Sequence, residues 1–304
     1  MYHFIINPRS RTGKGQEVWE SVKQLLDQKG IAYTHHFTHY EFHAVKIAGD
    51  LCRRYPEEKT IVIVGGDGTV NEVINGIETY EDVILGYIPS GSSNDYARSL
   101  SIPKDPAKAL EHILAGRIVW IDHGIIQTDR KTRRYAGSAG MGYDAAICKA
   151  NLSSPAKKLL NKLHLGKLSY MCLSLKVLLK YKPVDIRLRV DHGPWTRYQD
   201  VLFVSPMNQP YEGGGFKMAP HADMSDGKLS ACIIYQMPKW KAMLLLPLAF
   251  SGRHMGVKGT GEVHGARIEI AADEPLITHA DGEYVGCIDH AVFQVTPRKI
   301  RMIV

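Results

Sequence analysis

The run TIVIV at 60–64 ends directly in Gly65-Gly66-Asp67-Gly68. A strand with one wet face alternates apolar and polar residues. A run dominated by apolar residues is what a strand covered on both faces requires. Val70, Val73, Ile74 and Ile77 then recur at the spacing of one helix face. The same rhythm fills the first 120 residues. FIIN (4–7) reads as a strand, and Val18, Val22, Leu25 and Leu26 line a helix stopped by Gly30. IAYTHHF (31–37) reads as a strand, HAVKIAGDLCRRY (43–55) as a helix and VILGYIP (83–89) as a fourth strand. Strands alternating with helices predict a parallel sheet with helices packed on it.

Past Pro103 and a helix at DPAKALEHIL (105–114) the pattern changes to short β-like runs. These are IVWIDHGIIQT (118–128), DIRLRV (185–190), RYQDVLFVS (197–205), KLSACIIY (228–235), ARIEIAA (266–272) and HAVFQVT (290–296). Closely spaced strands with turn signals predict an antiparallel sandwich or barrel. One amphipathic helix, GKLSYMCLSLKVLLKYKP (166–183), interrupts them. The expected organisation is an α/β domain over 1–120 and a β-rich domain over 121–297. No low-complexity linker separates them, so they should be in close contact.

With 304 residues, 44% of them apolar, the chain can bury a large core. Its net charge of +7 suits acidic partners: nucleotides, nucleic acid or anionic lipid. No zinc-finger, RNA-recognition or basic-zipper motif occurs, which sets nucleic acid aside. Cys52, Cys148, Cys172, Cys232 and Cys287 are odd in number and form no CxxC, as expected of free thiols in a reducing cytoplasm. The N-terminus does not read as a signal peptide. The longest apolar run, AMLLLPLAF (242–250), falls short of the roughly 20 residues a membrane span needs. The expectation is a soluble cytoplasmic protein that can visit a membrane surface. Lys157, Lys158, Lys162 and Lys167 flank the long helix, and Lys239 and Lys241 flank Trp240, as a peripheral contact would use them. A core helix with solvated lysines explains each of these equally well. His35, His36, His39 and His43 match no standard zinc spacing and read as a solvated segment.

Three strands of the first sheet end in small polar loops: NPRSRTGKG (7–15), GGDGT (65–69) and SGSSND (90–95). Ligands of open parallel sheets bind at the carboxyl ends of strands. Arg9, Arg11 and Lys14 make the first loop a candidate phosphate cradle, although it is not a Walker A loop. Asp67 would be poorly placed against a bare phosphate. It makes sense with Mg²⁺ between them or with a substrate hydroxyl. The plain alternative is a tight turn with Asp67 capping the helix.

These three motifs, followed in order by GSAGMGYDAAI (137–147), YEGGGFKMAPHADMSDGKL (211–229) and HADGEYV (279–285), resemble the diacylglycerol kinase catalytic family over nearly the whole chain. That family includes bacterial soluble lipid kinases and sphingosine kinases. GGDG alone also occurs in NAD kinases and phosphofructokinases. The resemblance implies ATP and Mg²⁺ as cofactors and a lipid hydroxyl as acceptor, diacylglycerol or a related lipid. It implies an active site in the cleft between domains, and a C-terminal strand at about 298–304 that returns to the first domain.

The ATP site implied by the resemblance draws on four segments. They are Asn7, Pro8, Arg9, Ser10, Arg11, Thr12, Gly13, Lys14 and Gly15; then Thr38; then Gly65, Gly66, Asp67, Gly68, Thr69, Asn71 and Glu72; and last Ser90, Gly91, Ser92, Asn94 and Asp95. A structural Mg²⁺ would take the Asp226 carboxylate and the backbone carbonyls of Asp223 and Lys228. A metal-free Asp-Gly turn is the alternative there. Asp281 matches the family's proposed general base, and Glu283 a metal or nucleotide contact. Asp67 is the rival base, because sphingosine kinases assign that role to the matching aspartate. The reading adopted is Asp281 as base and Asp67 as organiser of Mg²⁺. An NAD kinase-like soluble kinase and a non-catalytic lipid-binding protein are the other readings. Intact Asp67, Asp281 and Glu283 argue against the last. A homodimer is left open.

Overall fold

The computed structural model describes residues 1–152 and 166–304, with side chains described outside 151–172. Lys157, Lys158 and Lys162, and the side chains of Lys167 and Cys172, therefore lie outside the described residues.

The first domain is built on β1 (Tyr2–Ile6), β2 (Tyr33–Phe37), β3 (Lys59–Gly65) and β4 (Val83–Pro89). They alternate with α1 (Lys14–Gln28), α2 (His43–Arg54) and α3 (Asp67–Gly76). After β4 come α4 (Asp95–Ser99), α5 (Pro106–Ala115) and β5 (Ile118–Ile121). The strand order is β2-β1-β3-β4-β15-β5, where β15 is Ile300–Ile303. All neighbours are parallel except β15 and β5. Ile61 to Val64 are fully buried, so both faces of β3 are covered. Trp19 of α1 packs on Phe4 of β1 with ring centroids 5.2 Å apart.

The second domain is a nine-stranded antiparallel sheet. It contains β6 (Gly124–Gln127), β7 (Thr132–Tyr135), β8 (Ala139–Gly142), β9 (Val184–Val190), β10 (Thr196–Met207) and β11 (Leu229–Tyr235). It is completed by β12 (Thr260–Gly265), β13 (Arg267–Ala280) and β14 (Glu283–Val295). β8 and β9 both lie between the long strands β10 and β13, at different ends. Among the described residues this half has the helices α6 (Tyr143–Leu152), α7 (Gly166–Lys180) and α8 (Lys239–Ala249).

Three features differ from the sequence reading. The run 118–128 is two strands in different sheets, β5 and β6. It breaks at Asp122 and His123, both 1% exposed. Asp122 accepts from Gly227 N–H at 2.7 Å, and its N–H donates to the Met224 carbonyl at 2.6 Å. These bonds satisfy a buried polar crossing between the domains. The runs 266–272 and 290–296 extend into one long hairpin, β13–β14. Its tip is Asp281-Gly282, with φ of 48° and 82°. Two left-handed residues form the two-residue turn that matches strand twist, which favours an Asp-Gly pair. The apolar run 242–250 lies almost entirely in α8, which the sequence reading did not place in an element.

Candidate active site

The three glycine-containing loops meet at the carboxyl ends of β1, β3 and β4. Asn7 Nδ2 donates to Thr69 Oγ1 at 3.1 Å, and the Ser10 and Ser90 hydroxyls are 2.7 Å apart and buried. A Cβ on Gly91 would lie 2.6 Å from Gly66 Cα, so the second and third loops touch backbone to backbone. Only glycine permits that approach. Arg9, Arg11 and Lys14 are exposed along the first loop, and none makes an ion pair among the described residues. Ser92 is exposed beside them, and Thr38 is buried with its N–H on the Ile6 carbonyl.

Asp67 is not the N-cap of its own helix, whose cap is Gly66 with no side-chain bond. Its two oxygens accept from Asp95 N–H and Tyr96 N–H at 3.2 and 3.1 Å, capping α4. Glu72 does the same for α2, accepting from Ala44 N–H at 3.0 Å. The cap residue of α2, Phe42, supplies no side-chain bond of its own. Helix α3 thus donates two carboxylates to the free N–H groups of its neighbours. Asp95 is 4% exposed, pairs with Arg98 and accepts from Gly214 N–H at 2.7 Å, which ties the third loop to the second domain.

Asp281 comes from the hairpin tip to the back of α3. Its Oδ2 accepts from Asn71 Nδ2 at 2.7 Å and Ala136 N–H at 2.6 Å. Its Oδ1 accepts from Gly137 N–H and Ser138 N–H, both at 2.9 Å. Asn71, expected at the nucleotide, spans the domains, with Arg133 donating to its Oδ1 at 3.2 Å. Asp67 feels this crowd. Burial, then the charges of Asp95 and Asp281, push its pKa up to about 6, although the Tyr96 and Asp95 N–H groups pull the other way. Desolvated carboxylates in mutual repulsion suit a divalent cation, so the residues here fit Mg²⁺.

The loop expected to hold a structural Mg²⁺ is elsewhere and closes on itself. Asp226 Oδ1 accepts from Lys228 N–H at 2.9 Å, and Asp223 Oδ1 accepts from the Ser225 N–H and hydroxyl at 2.9 and 2.7 Å. The Lys299 ammonium is 2.7 Å from the Ser225 carbonyl and 3.1 Å from Asp122 Oδ1. A cationic side chain is therefore part of this corner.

Sequence reasoning missed a second polar cluster beside Asp281. His279 Nε2 lies 3.2 Å from Asp144 Oδ2 and 3.4 Å from Glu212 Oε1. Burial disfavours a charged ring, but Asp144 and Glu212 outweigh it and push the His279 pKa up to about 9. Burial also pushes Glu212 up to about 7. Gly282 N–H donates to His279 Nδ1 at 3.1 Å, so the neutral form of the ring carries its proton on Nε2, facing the carboxylates. A metal-bound histidine has the reverse arrangement, one bare nitrogen on the metal and the other donating. These residues therefore form a hydrogen-bond network. Ser138 connects it to Asp281: its hydroxyl donates to Glu212 at 3.0 Å and its N–H to Asp281. All three residues stand inside motifs quoted above, but nothing in their spacing showed that they meet. Glu283 opens β14 directly after the turn. Tyr143, next to Asp144, lines an apolar cavity of about 50 Å³ with Leu178, Phe203, Ile234 and Leu245.

Residues 1–126 match the diacylglycerol kinase catalytic domain, and residues 137–304 match the YegS C-terminal NAD kinase beta sandwich-like domain. The chain is 27% identical over 290 residues to the protein YtlR of Bacillus subtilis, covering 94% of each. It is 28% identical over 290 residues to a diacylglycerol kinase of Bacillus subtilis, covering 93% of this chain and 90% of that one. A diacylglycerol kinase structure from Bacillus anthracis has a TM-score of 0.71 at 17% identity, covering 99% of this chain and 96% of that one. An NAD kinase from Archaeoglobus fulgidus shares the fold more distantly, with a TM-score of 0.51 at 14% identity, over 100% of this chain and 94% of that one.

Proposed function

The chain belongs to the diacylglycerol kinase catalytic family of ATP-dependent lipid kinases, and from that premise we propose that it moves the γ-phosphoryl group of ATP onto the free hydroxyl of diacylglycerol. The observation that carries the reading is the position of Asp281. A carboxylate from the second domain is fixed 2.7 Å from Asn71, on the helix that begins at the glycine loop. Nucleotide loops and acceptor side therefore meet at one cleft.

In this proposal the phosphates lie against Arg9, Arg11, Lys14 and the N–H groups after Gly66, where basic side chains and a helix start favour anions. Ser92 and Thr38 border the same loops. Mg²⁺, held by Asp67, would neutralise charge on the phosphates, with Glu283 a further metal or nucleotide contact. The lipid hydroxyl oxygen bonds to the γ-phosphorus, the bond to the β–γ bridging oxygen breaks, and ADP leaves. The hydroxyl proton passes to Asp281. Phosphoryl transfer depends mainly on positioning and charge stabilisation, so a firmly oriented acceptor suits the step. Asp67 is left to the metal. The protein would act as a peripheral enzyme at the cytoplasmic face of a membrane. Among the described residues no helix is long and apolar enough to cross one.

The test is ATP- and Mg²⁺-dependent phosphate transfer in mixed micelles to diacylglycerol, a sphingoid base, ceramide and phosphatidylglycerol, with NAD⁺ alongside. Transfer to diacylglycerol ahead of the others supports the proposal. Transfer to another lipid would replace the acceptor, and transfer to NAD⁺ alone would overturn the reading.

A further inference from the structure

α8 is apolar on two faces and covered on one. Ala242, Leu245 and Ala249 turn inward, and Leu245 and Ala249 are buried. The opposite face presents Trp240, Leu244 and Leu248 at a spacing of four, with Phe250 just beyond. They are 66, 63, 39 and 48% exposed. Leu179, 63% exposed at the end of α7, is held beside them because the Lys239 ammonium bonds its carbonyl at 2.8 Å. A helix that is apolar all round is ordinarily buried all round. This one leaves its outer face open among the described residues.

The charge around that face has one sign. From Gln236 to Gly261 the sequence holds four Lys or Arg and no Asp or Glu, and from Leu173 to Val184, around the exposed end of α7, it holds three Lys and none. The whole chain is +7, so these two stretches equal its entire net charge. The bonds of Lys239 and Lys241 run to the carbonyls of Leu179 and Lys258, at 2.8 and 3.1 Å, which leaves both charges uncompensated. A second copy of the chain at this face would bring like charges together. An anionic surface would be complementary.

We infer that the outer face of α8, with Leu179, is where the protein docks on an anionic lipid bilayer. Trp240, Leu244 and Leu248 enter the interface, and Lys239 and Lys241 meet the headgroup phosphates. The use of this surface rests on the lipid kinase reading. The inner face of the same helix lines the apolar cavity that includes Tyr143. Tyr143 adjoins Asp144, which bonds His279 two residues from Asp281. One helix thus separates the bilayer from the acceptor side of the cleft.

The experiment is flotation of the full chain, without ATP, on phosphatidylcholine vesicles with and without about 30 mol% phosphatidylglycerol, an anionic content chosen to give a negative surface potential. Wild type should float with the anionic vesicles and be released by salt. Lys239→Gln with Lys241→Gln should weaken partition by roughly fivefold per lysine removed. Leu244→Ser with Leu248→Ser should weaken it by about tenfold, through lost apolar insertion. Urea melting checks that each variant is folded. Failure of wild type to float, or flotation of both variants like wild type, overturns the assignment. So does a concentration-dependent dimer abolished by Leu244→Ser with Leu248→Ser, which would give the face to a second copy. Flotation needs no turnover, so its failure and the failure of the kinase reading are separate results.

Discussion

Asp281→Asn is the substitution a test of catalysis would choose first, and the structure predicts that it also weakens the fold. Four N–H donors converge on the carboxylate, two on each oxygen. An asparagine keeps one oxygen. Its amide nitrogen would face two donors, either Asn71 Nδ2 with Ala136 N–H or Gly137 N–H with Ser138 N–H. Each buried donor left without an acceptor costs about 1–3 kcal/mol, so the expected loss is about 2–6 kcal/mol. Asn71→Ala removes one of the four donors and leaves the carboxylate three, so it should cost less, about 1.5–3 kcal/mol. Urea denaturation of wild type and both variants, followed by near-ultraviolet circular dichroism, measures this directly. Asp281→Asn as stable as wild type would mean that the four bonds do not form in solution. It would refute the account of how the hairpin tip is held. A variant that is destabilised but folded at low temperature, and silent in the transfer assay, would assign the base.

Asp67 makes stability depend on pH. Its folded pKa is raised from 3.8 to about 6, so its contribution is full below pH 3.8 and lost as pH rises through 6. Without nucleotide or Mg²⁺, the stability of Asp67→Asn relative to wild type should therefore rise by about 2–3 kcal/mol between pH 4 and 7. Urea melts at the two pH values would show no change if the carboxylate is not desolvated. Gly91→Ala places a methyl group 2.6 Å from Gly66 Cα and should cost about 1–3 kcal/mol while loosening the nucleotide loops. Calorimetric ATP titration at wild-type affinity would refute that contact. Arg11→Ala with Lys14→Ala alters two exposed, unpaired side chains. It should leave stability within about 0.5 kcal/mol and weaken ATP binding in a salt-dependent way. Loss of stability instead would give these residues a structural role.

The parallel sheet was legible because it rests on local signals. An apolar run such as Ile61 to Val64 has to be covered on both faces, and the helix period after Gly68 supplies the cover. The glycine loops were legible for the same reason: small residues between a strand and a helix serve a backbone that must come close to something. What they approach was not legible. Gly91 lies against Gly66, and Asp67 and Glu72 cap helices other than their own. Those contacts are set by how elements pack, and period and propensity carry no record of packing partners. His279, Asp144 and Glu212 are far apart in the chain and meet because β8 pairs with both β13 and β10. The sidedness of α8 is likewise invisible in KWKAMLLLPLA, which is apolar all round. The sequence by itself determined the alternating strands and helices of the first sheet and the small polar loops at its strand ends. Tertiary structure alone decided which carboxylate each N–H group would find, because buried donors take the nearest acceptor in space, whatever its distance along the chain.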